Sequence, residues 1–276
     1  MFIAFLIMLR EGIEAALIVG IVAGFLKQSG HGHLMPKVWL GVALAVLLCL
    51  AVGYGIHQET GEIPQKQQEL VVGIIGLVAV AMITYMILGM KKAARSMKQQ
   101  VQQSVQAALN RGNGQGWALV GMAFLAVARE GLESVFFLIA VFEQSPSWRM
   151  PVGALLGLAA AAVMGTLIYQ GGMRLNLAKF FRYTGVFLIV VAAGLLAGSL
   201  RALHEAGVWN HLQGIAFHSA HILHEDSPLG VLLGGFFGYT DHPTWGEIGV
   251  WLLYLVPVLY WFLRGTKPLN PSLKTS

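Results

Sequence analysis

Seven apolar runs dominate this chain: Met1–Leu26, Val38–Ile56, Leu70–Met90, Trp117–Phe142, Val152–Tyr169, Tyr183–Leu203 and Trp245–Leu263. A hydrocarbon layer about 30 Å thick takes about 20 residues of helix at about 1.5 Å per residue, and each run meets or nearly meets that length. Inside such a layer every backbone N–H and C=O must be bonded within its own helix or a closed barrel. Runs this continuous predict helices. The expected fold is therefore an all-α polytopic membrane protein with seven transmembrane helices in one domain, residues 1–276. Composition agrees, with 56% of the 276 residues hydrophobic, 11% charged and a mean hydropathy of +0.67, against roughly 25% charged in soluble domains. The lone Cys49 sits in an apolar run, which excludes an intrachain disulfide and a thiolate metal cluster. Met1–Leu26 has no basic start and no small-residue cleavage site, so it reads as a retained helix, not a signal peptide.

Basic residues orient the chain, because Lys and Arg accumulate in cytoplasmic loops. One set of segments holds Lys27, Lys37, Lys91, Lys92, Arg95, Lys98, Arg111, Arg174, Lys179, Arg182, Arg264, Lys267 and Lys274; the alternate set holds only Lys66, Arg149 and Arg201. This places the N-terminus outside and the C-terminus in the cytoplasm. Acidic residues gather on the outer side (Glu59, Glu62, Glu69, Glu143, Glu205, Glu225, Asp226, Asp241), a face that attracts cations.

Two apolar runs break their own rule. Arg10-Glu11-Gly12-Ile13-Glu14 lies in the first and Arg129-Glu130-Gly131-Leu132-Glu133 in the fourth, both near mid-length. A charged side chain at bilayer depth costs about 2.5–3.5 kcal/mol on insertion scales, and such residues mark ion pathways by default. On a helix the two Glu of each motif are an i,i+3 pair and Arg with the second Glu an i,i+4 pair, so the carboxylates share a face and the Arg can neutralise one of them. The central Gly permits close approach of a neighbouring helix. A purely structural role, two buried ion pairs locking helices together, accounts for two Arg and two Glu but leaves two carboxylates over. Helices 1 and 4 run in opposite directions, because an odd number of crossings separates them. Helices 1–3 (repeat one, 1–90) and 4–6 (repeat two, 117–203) are accordingly expected to form an inverted repeat, with a cytoplasmic loop at 91–116, an outer loop at 204–244 and a seventh helix at 245–263. Transporters of that build bind ions near the midplane at the repeat interface. Glu11, Glu14, Glu130 and Glu133 are the expected metal ligands, with Arg10 and Arg129 orienting them. Four carboxylates against two guanidiniums suit a multivalent cation that prefers hard oxygen donors: ferric iron, with calcium, manganese and magnesium allowed by the same chemistry.

Other features are weaker. Lys91–Gly116 reads as a cytoplasmic amphipathic helix ending at Gly112-Asn113-Gly114, with Met97, Val101, Val105 and Ala108 at helical spacing. The outer segment His204–Thr244 holds six of the nine histidines, and its apolar stretch Gly230–Gly238 is expected to dip into the interface or re-enter the membrane. Within it His218, His221 and His224, and before them His204 and Glu205, are candidates for an outer metal relay, set against the plainer role of solvated or capping groups. Met82, Met86 and Met90 share one helical face and read as core packing rather than soft metal ligands. Gly20/Gly24, Gly153/Gly157 and Gly194/Gly198 read as helix contact points. Numerous histidines raise the alternative of a membrane haem protein, but they fall in loops or at span ends rather than in pairs within spans.

With both Arg-Glu-x-x-Glu motifs intact, at Arg10–Glu14 and Arg129–Glu133, the chain resembles the oxidase-dependent iron permeases, the family of the fungal high-affinity iron permeases and their bacterial counterparts. Leu9–Gly20, Ala128–Leu138 and His204-Glu205-Ala206-Gly207 are also similar to that family, and the resemblance runs the length of the chain. It implies iron uptake across the cytoplasmic (inner) membrane, with ferrous iron oxidised outside and passed on as ferric iron. It implies extracytoplasmic partners, a cupredoxin-type iron-binding protein and a haem peroxidase, no tightly bound cofactor, and iron as cargo rather than as the centre of an enzyme. Some relatives carry lead, so a transporter or channel for lead or manganese is the alternative.

Overall fold

In a computed structural model of the chain, the structure describes residues 1–60, 64–110, 114–144, 148–170, 176–219, 221, 223–225 and 227–264. Of the residues singled out above, Glu62, Arg111, Gly112, Asn113, Arg174, Asp226, Lys267 and Lys274 lie outside these, as do the side chains of Glu59, Met90, Lys91, Lys92, Arg95, Met97 and Lys98.

Eight helices account for nearly all of the described chain: α1 (Phe2–Gln28), α2 (Met35–Thr60), α3 (Gln65–Leu109), α4 (Gln115–Gln144), α5 (Arg149–Tyr169), α6 (Leu177–Glu205), α7 (Pro228–Phe237) and α8 (Trp245–Arg264). Among the described residues there is no strand, only an isolated bridge between Ile215 and Thr244. Five of the helical stretches are long and apolar enough to cross a membrane: Gly32–Ile56, Gln65–Gly89, Arg149–Tyr169, Lys179–Glu205 and Trp245–Arg264. α1 and α4, at 27 and 30 residues, have the length as well but carry the charged motifs at mid-helix. Leu50 on α2 (65% exposed), Leu155 on α5 (68%) and Leu253 on α8 (78%) turn bare apolar surface outward. So much exposed hydrocarbon is stable only against lipid.

The third span and the inner amphipathic segment differ in one respect from the sequence reading. α3 runs unbroken for 45 residues through Leu70–Met90 and on to Leu109, so the segment read above as cytoplasmic continues the same helix instead of forming a separate one. Its far end is buried by Val105 and Ala108, which pack with Val22 and Leu26 of α1, Val38 of α2 and Leu119 of α4. Arg201, counted above with the outer segments, lies within α6, and its guanidinium grips Glu247 of α8 (Nη2–Oε2 2.9 Å, Nε–Oε1 3.3 Å).

The helices pair through small residues. Along α1 and α5, Gly12 faces Ala161 and Leu158, Ala16 faces Gly165, and Gly20 approaches Tyr169, so the two helices run parallel. Along α2 and α4, Gly41 meets Val120 and Ala123, Cys49 meets Ala128 and Gly131, and Gly53 meets Val135, again in parallel. Each motif glycine therefore sits at a crossing: a Cβ added at Gly12 would lie 2.6 Å from that of Ala161, and one at Gly131 2.5 Å from Cys49 Sγ. α3 and α6 pack antiparallel, Gly73 against Ser199 and Leu203, with Ile83, Ile87, Leu188, Ile189, Phe137 and Ile7 filling the centre. Of the glycine pairs named above, Gly153 and Gly194 meet neighbouring backbone, whereas Gly24 meets nothing.

α7 is the apolar stretch of the outer loop. Ser227 Oγ caps it by accepting from Gly230 N (3.0 Å), Pro228 opens it, and Gly238 closes it at φ 68°, the left-handed cap that favours glycine. Ten residues, about 15 Å of helix, cannot span a bilayer. Instead α7 docks by its Gly238 end on Gly194 in the middle of α6, and Phe236 packs edge-on to Phe187 (5.2 Å) and against Phe2 (5.8 Å).

Close packing at Gly131 generates a rescue test. Gly131→Ala should lower stability by about 1–3 kcal/mol through overpacking, read as a lower thermal midpoint in detergent. Adding Cys49→Ala removes the opposing sulfur and should restore most of the loss; a double variant no better than the single would contradict the crossing.

Candidate metal site between α1 and α4

α1 delivers Arg10, Glu11 and Glu14 to the interior because its apolar residues, Ile3, Ile7, Ile13, Val22 and Leu26, are buried on every side of the motif. Arg10 is wholly buried, and Glu11 and Glu14 nearly so, at 2% and 6% exposed. The Arg10 guanidinium is shared three ways. Nη1 pairs with Glu11 Oε1 and donates to Met86 Sδ on α3 (2.9 Å), while Nη2 lies 3.1 Å from Glu14 Oε1. Two carboxylates thus stand around one cation.

α4 brings the second motif to the same place. Carboxylate oxygens of Glu11, Glu14 and Glu130 come within 4.8 Å of one another, close enough for one ion to bridge them. Glu133 is held back by Arg129, whose Nε donates to its Oε1 at 3.2 Å, and lines a cavity beside Glu14 and Glu130. The two motifs are unequal. Arg10 is sealed in, whereas the Arg129 side chain is 64% exposed at the cavity. Glu11 Oε2 and Glu133 Oε2 are buried and accept no hydrogen bond in the structure. A buried acceptor left so costs about 1–3 kcal/mol, more when charged. A cation between the motifs would satisfy both oxygens with the all-oxygen donor set that hard ions prefer.

The cavity measures about 470 Å³. From Glu14, Glu130 and Glu133 it runs past Tyr85 and Gly89 to Gln100 and Val101, so its far wall is the extension of α3. Met86 and Tyr85 belong to this site and were not read as such from the sequence. The Met82–Met86–Met90 stripe was the available signal, and Met86 is indeed buried in the core, but one side of its thioether serves the Arg10 guanidinium.

The outer candidates have a different fate. His204 Nδ1 is hydrogen-bonded to Trp209 O (2.9 Å), where it ties off the end of α6, and Glu205 is exposed. His218, His221 and His224 are all exposed, and among the described residues they do not form a common cluster of donor atoms. The structure gathers Glu225, Asp241 and His242 instead. His242 Nδ1 pairs with Asp241 Oδ1, and this bond, with the nearby charge of His224, holds the Asp241 carboxyl below the usual aspartate range. The adjacent Asp241-His242-Pro243 was the sequence signal for this group; its distance from Glu225 along the chain concealed it.

A family model described as "Iron permease FTR1 family" matches residues 1–266. Among curated proteins, the ferrous iron permease EfeU of Yersinia pestis is 54% identical over 262 residues, 95% of this chain and 93% of the relative. That of Escherichia coli O157:H7 is 53% identical over 262 residues, 95% of each chain, and that of Yersinia pseudotuberculosis serotype I 54% over 261 residues, 95% of this chain and 92% of the relative. No solved structure matches. With the match running from the first residue past both buried motifs to the end of α8, the chain belongs to the iron permease FTR1 family.

Proposed function

We propose that this chain imports iron across the cytoplasmic (inner) membrane, carrying the ion between α1 and α4 on Glu11, Glu14, Glu130 and Glu133. The observation that supports this most is the convergence of three buried carboxylates on one point, with acceptor oxygens left open, in the interior of a membrane bundle. Arg10 keeps the empty site from carrying its full negative charge, and Arg129 parks Glu133 until an ion draws it in. From there the cavity leads the ion along α3 toward Gln100 and Val101 and out to the cytoplasm.

In this reading α1–α6 and α8 are the seven spans, with the N-terminus outside and the C-terminus inside, and α1–α3 and α4–α6 form an inverted repeat. The exchanged pairing supports the repeat: α1 packs on α5 as α4 packs on α2, both in parallel and both through the motif glycine. A pseudo-two-fold axis between α1 and α4 would relate the two pairs.

Ferric iron is the ion that four hard carboxylates favour. Its oxidation from ferrous iron falls to extracytoplasmic proteins of the cupredoxin and haem-peroxidase kinds, and translocation to this chain. A ferrous substrate is the second reading, because the relatives are named ferrous iron permeases. Proteoliposomes holding only this protein separate the two. Radiolabelled iron supplied as a ferric chelate should enter, and ferrous iron kept reduced by ascorbate without oxygen should not; the reverse result establishes the ferrous reading. Glu14→Gln and Glu133→Gln should each lower uptake at least tenfold, the scale of losing a metal-site partner, while insertion is retained. Normal uptake by both variants would end the carboxylate proposal, and equal uptake of manganese or lead would change the substrate.

The inequality of the two arginines gives a stability test. Arg10→Met strips the counter-charge from two buried carboxylates and should cost about 3–5 kcal/mol. Arg129→Met breaks a pair that opens to the cavity at its arginine end and should lower the thermal midpoint less than Arg10→Met. Equal losses would show that the cavity does not expose Arg129.

Topology is open to labelling with a membrane-impermeant maleimide, because native Cys49 is buried. Asn210→Cys should react in intact spheroplasts and Gln103→Cys only after permeabilisation; the opposite pattern would invert the orientation.

A further inference from the structure

The loop between α6 and α8 holds a second convergence of donors, apart from the carboxylates of α1 and α4. Glu225 precedes α7, while Asp241 and His242 follow it, yet one donor atom from each lies within 4.8 Å of the other two. Hydrogen bonds on either side of α7 fix this approach. Ser219 N donates to Asp241 O at 2.8 Å, Tyr239 OH donates to Leu223 O at 2.8 Å, and the Ser219 hydroxyl can donate to Tyr239 OH at 2.8 Å. The backbone N–H of Glu225 also bonds the Asp241 carboxylate. The loop thus holds the donors in place before any ion arrives, which lowers the cost of binding.

The electrostatics of the cluster call for a cation. The Asp241 side chain is only 7% exposed and has a second carboxylate, that of Glu225, against it. The charges that bear favourably on Asp241 are those of His242 and His224, not of a Lys or Arg. Two carboxylates therefore face each other beside two imidazoles. His242 is 59% exposed, which opens the cluster to an ion from solvent. Two carboxylate oxygens and one imidazole nitrogen are a mixed donor set suited to divalent first-row ions rather than to calcium or magnesium.

We propose that Glu225, Asp241 and His242 form a second metal site, taking one divalent first-row ion such as Fe²⁺ or Mn²⁺. Each carboxylate gives one oxygen, and the His242 ring gives a nitrogen when the ion takes the place of the proton it shares with Asp241. That iron is the cargo collected here rests on the import reading; the site itself does not.

Nitrogen ligation makes the site testable by itself, since the α1–α4 site offers only oxygen. Full-length protein in detergent would be loaded with one equivalent of Mn²⁺ and examined by pulsed electron paramagnetic resonance for ¹⁴N coupling. Coupling is expected in the wild type and in Glu133→Gln, and should vanish in His242→Gln. Glu225→Gln, which keeps size and shape, should weaken Mn²⁺ binding roughly 10–100-fold without moving the thermal midpoint. Absence of ¹⁴N coupling in the wild type, or its persistence in His242→Gln, would overturn the site. Loss of iron uptake in Glu133→Gln with the ¹⁴N signal intact leaves both proposals standing; full uptake there with the signal present removes the carboxylate pathway and keeps this site.

Discussion

The structure depends on how one guanidinium is shared. Transferring an ion from water to a medium as apolar as this interior costs several kcal/mol even after relaxation, and α1 takes three ionisable groups there together. Arg10 meets that cost by spreading its N–H donors over Glu11, Glu14 and the sulfur of Met86. The bill is met only in part, since Glu11 Oε2 stays without a donor. Natural interiors seldom leave such an atom without a reason. Here the unmet demand lies beside the carboxylates of Glu14 and, from α4, Glu130, where a cation would satisfy it.

Packing follows from the same need. To bring Glu130 within reach of Glu11 and Glu14, α1 and α4 must each be held at a fixed depth and rotation. Among lipid tails, helices gain no hydrophobic advantage from contact, so fixed positions come from van der Waals fit at small residues. Gly12 against Ala161 and Gly131 against Cys49 supply that fit within the motifs themselves. The motif glycine and the motif acids therefore serve one geometry: the glycine sets the helix, and the helix sets the carboxylates. Further along, Arg201–Glu247 clamps α8 to α6, and α7 leans on Gly194.

The helical class, the rough limits of most helices and the burial of charge at mid-helix in α1 were legible in the sequence because each is a local matter. A run of apolar residues in lipid has no option but to satisfy its backbone within the helix, and Arg, Glu and Glu at helical spacing share a face wherever the helix lies. The α3 extension was legible as a helix through Val101, Val105 and Ala108, but its fusion to the third span was not. No proline or glycine break marks a boundary between Met90 and Leu109, so only the continuous backbone decided it.

What the tertiary structure decided is every relation between residues far apart in the chain. Two copies of one Arg-Glu-x-x-Glu motif read as equals, yet Arg10 is sealed by α3 and Arg129 opens to the cavity, a difference made by neighbouring helices and invisible in either pentapeptide. Met86 reads as packing by its spacing and becomes a partner of Arg10 only when α3 crosses α1 at that height. His218, His221 and His224 are close in sequence but bring no donor atoms together among the described residues, while Glu225 and His242 are distant in sequence and meet across α7. The sequence alone determined which charges would have to be buried together, since their cost in lipid depends only on their number and spacing. Which oxygen of which residue was left free to bind depended on three-dimensional contacts, because a hydrogen bond is satisfied or not by atoms within about 3 Å, from whatever part of the chain they come.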